Sequence, residues 1–328
     1  MKALVYTGTQ ETEIRNVELA SAAAGQTVID IAFCGLCGSD MHAWHGHDAR
    51  RIPPLILGHE IVGIAQTGTF AGKRVAVNPL MTCGTCDQCQ SGNEHLCYSR
   101  ELLGMRVPGG FAEKVAVNES NLTVISDDLA FVDAALAEPL ACAVHAVRLG
   151  LEASQHNTDQ KVIVLGGGAI GLLSALVFKH HGFADIKIAE TNEGRRAMLA
   201  ELGGITPYDP LAETGGESVA HIVLDAVGSS HTRTAASQLV RPGGQIIHIG
   251  LQDNNDGLDT RRLTLQEISF QGTYCYQDKD FAAALSLLTE GVIKADFWTD
   301  TRPLDDGIQS FWDVHNGTAP PKIILDCN

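Results

Sequence analysis

The chain is short of basic residues. Its 328 residues include 23 Lys and Arg against 39 Asp and Glu, a formal net charge of −16 at pH 7. An acidic surface is not drawn to nucleic acid or to an anionic bilayer, and no basic run supplies a local exception. Both partner classes are therefore excluded. A membrane-length apolar run is missing too. The most apolar stretch, 162–178, is flanked by Lys161 and Lys179, is short for a span and contains three consecutive glycines. The opening Met1-Lys2-Ala3-Leu4-Val5-Tyr6-Thr7 alternates like a strand and lacks the apolar core of a secretion signal. The expectation is a soluble, cytoplasmic protein. Repeats, linkers and low-complexity segments are absent as well. With 45% hydrophobic residues, a chain of this length can bury a large core and divides naturally into two domains.

What is present is cysteine, nine in all. Without a secretion signal these read as metal ligands rather than disulfides. Four fall in Cys83-x2-Cys86-x2-Cys89-x7-Cys97, within a loop of Gly, Thr, Gln and Asn. Four closely spaced thiolates satisfy tetrahedral zinc with no open position, which makes this lobe, 83–97, a structural site. A second constellation lies nearer the start. Gly35-Leu36-Cys37-Gly38-Ser39-Asp40-Met41-His42 and Leu57-Gly58-His59-Glu60 bring together a thiolate, an imidazole and several polar side chains. Cys37, His59 and Glu138 (in Ala137-Glu138-Pro139-Leu140) are the ligand candidates for a catalytic zinc. Such a site keeps three protein ligands and one open position. Cys142, four residues beyond Glu138, is the softer and less favoured alternative. Asp40 is placed to orient the His59 ring, as carboxylates commonly do beside metal-bound histidine.

Up to about residue 117 the chain reads as short strands joined by Gly and Pro turns: Ala3–Tyr6, Thr27–Cys34, Ile61–Ala65, Arg74–Val77 and Phe111–Val117. A helix follows over Leu136–Leu149. From Lys161 the pattern changes to alternating strands and helices, the signature of a doubly wound parallel sheet. Val162-Ile163-Val164-Leu165 is a continuous apolar run, suited to a strand buried on both faces. It leads into Gly166-Gly167-Gly168-Ala169-Ile170-Gly171 and a long apolar helix, and Glu190 ends the next strand, 19 residues beyond Gly171. Between a strand and a helix, this is a dinucleotide fingerprint. Gly166 permits the turn, Gly168 lets the backbone approach the pyrophosphate, and Gly171 lets helix and strand pack closely. Ala169 and Ile170 open the helix whose N-terminus receives the anion. Glu190 is placed to hold the adenosine ribose and so to favour NAD over NADP. Arg195 and Arg196, a few residues on and suited to grip a 2′-phosphate, are the counter-indication.

The motif Gly-Leu-Cys-Gly-Ser-Asp-x-His followed by Gly-His-Glu resembles the zinc-containing medium-chain alcohol dehydrogenases. Glu138-Pro139-Leu140 points to their polyol dehydrogenase branch. The resemblance implies an α/β fold: a GroES-like, β-rich catalytic domain over 1–143 and 277–328, and a Rossmann NAD-binding domain over 144–276. It also implies a homodimer or homotetramer. The reaction implied is hydride transfer from a secondary hydroxyl of a polyol or diol to NAD at a zinc site, with a simple secondary-alcohol or threonine dehydrogenase as the alternative and a non-catalytic dinucleotide-binding protein as the distant one. Zinc makes a coordinated hydroxyl acidic, for water from 15.7 to roughly 7. By the same resemblance Ser39 hydrogen-bonds the substrate oxygen, His42 carries the proton towards solvent, and Glu60 sits near the metal. Sorbitol dehydrogenase-like chains carry Arg-Tyr after the last sheet strand. Here Tyr276 matches, but Cys275 replaces the Arg, so a guanidinium clamp on substrate is missing there.

Overall fold

A computed structural model describes residues 1–18, 22–153, 157–253 and 255–328. The backbone forms two compact units, Met1–Pro139 with Gln277–Asn328, and Leu140–Tyr276. The first break therefore lies after Pro139 rather than after residue 143. It falls inside one continuous helix, Ala137–Ala153, which tolerates Pro139 because the first helical turn has no intrahelical N–H partner to lose.

The first unit is β-rich. Its main sheet has seven strands, and the eleven-residue strand Gln26–Leu36 is its centre. That strand pairs antiparallel with Glu60–Ala65, with Lys114–Asn118 and with the C-terminal strand Lys322–Asp326. Thr299–Pro303 adds to the far side of Lys322–Asp326, in parallel. The register matters for function. Gly35 faces Glu60 on one side and Ile324 on the other, so residues distant in sequence meet at the end of this strand. Beneath the sheet lies one core, including Leu4, Ile29, Trp44, Leu57, Phe111, Phe311 and Leu325. Near the C-terminus a short 3-10 turn, Leu304–Asp306, precedes the helix Gly307–His315.

In the second unit all six strands run parallel. Their spatial order is Thr206–Tyr208, Ile186–Ala189, Val162–Leu165, Ala220–Asp225, Val240–His248, Ser269–Gly272. Counting in chain order this is 3-2-1-4-5-6, the Rossmann arrangement, whose ligands bind at the carboxyl ends of the strands where the order reverses. Val162, Ile163 and Val164 are fully buried, as a strand covered on both faces requires. The strand Thr206–Tyr208 is the least visible in the sequence, because it has three residues and one is a proline.

Candidate active site

Strand Gln26–Leu36 delivers Cys37 directly to the start of a short helix, Gly38–Trp44. Cys37 is its N-cap. Its Sγ accepts a hydrogen bond from the Ser39 amide at 3.5 Å, and Asp40 Oδ2 accepts one from the Cys37 amide at 3.1 Å. This reciprocal box fixes the thiol's direction. Asp40 also reaches the second segment: its Oδ1 accepts from the Gly58 amide at 3.3 Å and lies 3.4 Å from His59 Nδ1. One buried carboxylate thus ties both segments together and leaves His59 Nε2 facing the other way. Gly58 has φ +90°, and a side chain there would come within 2.7 Å of Phe111 and 2.9 Å of Cys34 Sγ. Only glycine suits that turn.

The ligand atoms of Cys37, His59 and Glu60 lie within 4.8 Å of one another. Glu138 is not part of that group. It is buried nearby, however, in the field of Lys322. Burial by itself would lower the Lys322 pKa. Glu60, then Cys37 and Glu138, outweigh it and raise that pKa above the ordinary value. Lys322 is ion-paired with Glu60 Oε2 and donates to the Leu36 carbonyl at 3.0 Å. Gly35 makes room for this pair, since a Cβ there would overlap Glu60 Oε2 outright and come within 2.9 Å of Lys322 Cε. Glu60 Oε1 is buried with no hydrogen-bond partner among the described residues. A thiolate, an imidazole whose Nδ1 already faces a carboxylate, and an orphaned carboxylate oxygen form a donor set that fits a zinc ion. Burial opposes charge on His59, but Asp40 and Cys37 outweigh it and raise its pKa well above the ordinary value. For Asp40, burial pushes upward while His59 and Arg51 hold the pKa below the ordinary value.

Ser39 Oγ lies 3.5 Å from His59 Nε2. It also accepts a hydrogen bond from Arg51 Nη2 at 3.3 Å. His42 is half-buried, its ring 5.3 Å from that of His47. Burial, then His47, lowers its pKa, which favours the uncharged ring. His45 is taken up elsewhere, with Nε2 2.9 Å from His315 Nδ1 on the C-terminal helix.

The four lobe cysteines form a second cluster. Sulfur separations of 3.5, 3.5 and 4.0 Å (Cys86–Cys89, Cys97–Cys83, Cys83–Cys89) bracket the roughly 3.8 Å edge of a tetrahedron with about 2.3 Å Zn–S bonds. Hydrogen bonds from Thr85 and Cys86 lower the Cys83 pKa to about 6, whereas burial pushes the Cys89 thiol up to about 12.

In the second unit, Gly166 has φ +97° and Gly168 caps the helix Ala169–His180. A Cβ at Gly168 would meet nothing within 4 Å, whereas one at Gly171 would overlap the Gly166 carbonyl. Those are the two conditions the fingerprint needs: open backbone towards a ligand, and close packing behind it. Glu190 is buried, accepting from the Gly167 amide at 2.9 Å and the Asn192 amide at 2.8 Å. Arg196 is occupied by the carbonyls of Glu190 and Thr191 and by Asp209 at 3.2 Å. Arg195 begins at the first turn of the next helix, its amide held by Asn192 Oδ1 at 3.0 Å. Tyr276 is buried, and Cys275 before it has φ +46°, an unusual conformation for a non-glycine residue. Cys142 is half-buried one helical turn beyond Glu138.

Two residues escaped the sequence reading. Lys322 opens a strand whose first four residues are all buried, and a lysine in such a strand was the available signal. Arg51 precedes Pro53-Pro54 in a segment that reads as surface, and nothing local reveals its burial.

Fold and clusters together define a zinc- and nicotinamide-dependent dehydrogenase. Residues 23–127 match the alcohol dehydrogenase GroES-like domain, and residues 169–290 match the zinc-binding dehydrogenase domain. L-galactonate-5-dehydrogenase of Escherichia coli K12 is 32% identical over 310 residues, covering 90% of this chain and 89% of that one. The solved 2R,3R-butanediol dehydrogenase of Bacillus subtilis superposes with TM-score 0.87 at 27% identity, covering 100% of this chain and 99% of its own. A zinc-binding dehydrogenase from Sinorhizobium meliloti 1021, bound to NADP, gives TM-score 0.87 at 26% identity, covering 99% and 98%. The chain belongs to the zinc-containing medium-chain dehydrogenases, in their polyol dehydrogenase branch. No helix among the described residues is long and apolar enough to cross a membrane.

Proposed function

We propose that the enzyme oxidises a secondary hydroxyl of a diol or polyol, using NAD and giving a hydroxyketone or ketose. The observation that carries this reading is the Cys37–His59–Glu60 group, its histidine and glutamate buried and its cysteine half-buried, with the Ser39 hydroxyl beside it. When bound, zinc supplies a Lewis acid that makes a hydroxyl acidic near neutral pH, and NAD supplies the hydride acceptor. Cys37 and His59 would hold the metal, with a carboxylate from Glu138 or Glu60 completing the set. Asp40, 3.4 Å from His59 Nδ1, orients that ring, and Lys322 pairs with Glu60 at the cluster. Ser39 hydrogen-bonds the substrate hydroxyl, and His42 passes a proton to solvent.

Gly166, Gly168 and Gly171 with the amides of Ala169 and Ile170 would receive the pyrophosphate, and Glu190 the ribose. NAD is favoured over NADP because the Glu190 carboxylate repels a 2′-phosphate, and Arg196 is already committed to Asp209 and two carbonyls. Two relatives whose printed names carry substrates with several hydroxyls support the polyol assignment. Ser39, Glu60 and Tyr276 are the groups proposed to contact substrate. A monohydric alcohol would leave part of such a set unpaired, at roughly 1–3 kcal/mol per group. Cys275 in place of an Arg favours short diols over one tightly held hexitol. We also place the enzyme in the cytoplasm as an assembly of identical chains. The exposed edge strand Ser269–Gly272 with Phe270 supports such pairing, and sedimentation would test it.

The decisive experiment is a matched series with NAD: 2-propanol, 1,2-propanediol, 2,3-butanediol, then pentitols and hexitols. Efficiency rising at least tenfold from the monohydric alcohol to a diol is the expected result. A flat series would replace the assignment with the simple secondary-alcohol dehydrogenase that is the alternative.

A further inference from the structure

Arg51 is buried in the first unit, its side chain 1% exposed, and all its recorded partners belong to that unit. Its guanidinium is held on two sides: Nε donates to the Gly104 carbonyl at 2.9 Å, and Nη1 to Asp48 Oδ2 at 2.6 Å. Asp48 is itself almost buried and is also gripped by Arg50, which donates from Nε at 2.8 Å and from Nη2 at 3.0 Å. The remaining nitrogen, Nη2, is delivered by this frame to Ser39 Oγ at 3.3 Å. Two cations share one carboxylate here, so the group retains positive charge. Burying a guanidinium is costly unless its hydrogen bonds are met, so a position that spends one on a serine hydroxyl beside the metal cluster calls for an explanation.

From this geometry we infer that Arg51 is a positioning residue for the reaction, acting through Ser39. The inference rests on the dehydrogenase reading above. A serine oxygen has two lone pairs and one proton. Arginine only donates, so Arg51 occupies one lone pair and can never take the proton. One lone pair and one O–H remain. In alcohol oxidation the substrate hydroxyl proton enters at that lone pair while the serine proton leaves through its O–H to water and on towards His42. One proton arrives as one departs, and ketone reduction reverses the order. The guanidinium therefore fixes the Ser39 rotamer and makes the hydroxyl a one-in, one-out relay. Lysine at this position could not hold Gly104, Asp48 and Ser39 in one plane.

The test is a double-mutant cycle of Arg51→Met and Ser39→Ala on zinc-replete enzyme, with kcat, KM, zinc content and solvent isotope effect measured on 2,3-butanediol and NAD. Arg51→Met should lower kcat about 10- to 100-fold, the scale of a misplaced reacting group. KM and zinc content should stay within about twofold, and the solvent isotope effect should rise. Added to Ser39→Ala, the same change should cost little more, because the hydroxyl it positions has gone. Arg51→Lys serves if Arg51→Met does not fold, and should show a smaller kcat loss that Ser39→Ala again masks. Equal kcat losses in both serine backgrounds, or an unchanged isotope effect, would overturn the inference and leave Arg51 a purely structural residue. A wild-type enzyme that oxidises no alcohol with a nicotinamide dinucleotide would sink the functional reading instead.

Discussion

Removing the Lys322 ammonium should be among the most damaging single changes in the first unit. In Lys322→Met the chain keeps a side chain of similar length, but Glu60 loses its ion-pair partner and the Leu36 carbonyl loses a donor. Both side chains are inaccessible, 1% exposed for Lys322 and 0% for Glu60. Breaking a buried pair from one side typically costs about 3–5 kcal/mol, because the surviving charge is left uncompensated. For a unit of this size each kcal/mol shifts Tm by about 2–4 °C, so the expected fall is roughly 6–20 °C. The double variant Lys322→Met/Glu60→Gln removes both charges and should regain most of that loss. The assay is urea and thermal unfolding of the wild type, both single variants and the double variant, with and without added zinc. A single-variant loss below about 1 kcal/mol, or a double variant worse than the sum of its parts, would show that the pair is not a coupled buried unit.

Three further outcomes are expected. Metal analysis should find two zinc ions per chain; Cys97→Ser should lose one together with stability, and Cys37→Ser should lose one together with turnover while unfolding as the wild type does. Cofactor preference should favour NAD, and Glu190→Ala should narrow the NAD-to-NADP ratio of kcat/KM, with an unchanged ratio refuting Glu190 as selector. Burial pushes the Asp48 carboxyl up, but hydrogen bonds and charge from Arg50, with Arg51 adding, lower it to about 2. A depressed carboxyl contributes stability above its unfolded pKa near 3.9 and loses it as pH falls through about 2, at most about 2 kcal/mol here. The stability gap between wild type and Asp48→Asn should thus be constant above about pH 5 and close towards pH 2.

The sequence was most informative where chemistry is local. The lobe cysteines lie within fifteen residues, and the Gly166–Gly171 turn with its flanking strand and helix is one contiguous segment, so spacing alone revealed both. The Cys37 and His59 segments were likewise legible as motifs. Their joining by Asp40 was half visible: its hold on His59 could be anticipated, its capping of Cys37 and bond to Gly58 could not. Least legible were the contacts made by sheet register. Glu60 meets Lys322 only because Gln26–Leu36 pairs with both their strands, across a sequence gap of more than 250 residues. Arg51 meets Ser39 through a turn whose composition reads as solvent-exposed. The short strands Glu11–Asn16 and Thr299–Pro303 were missed for a related reason: polar residues dominate them, and neighbouring strands rather than their own pattern make them extended.

Direct hydride transfer from a secondary carbon to NAD at the Cys37–His59 cluster can be read from the mass of the reduced cofactor formed from 2,3-butanediol deuterated at its carbinol carbons. One deuterium per reduced nicotinamide is expected, formed by the wild type and not by Cys37→Ser. Reduced cofactor without deuterium, or transfer undiminished in Cys37→Ser, would contradict it.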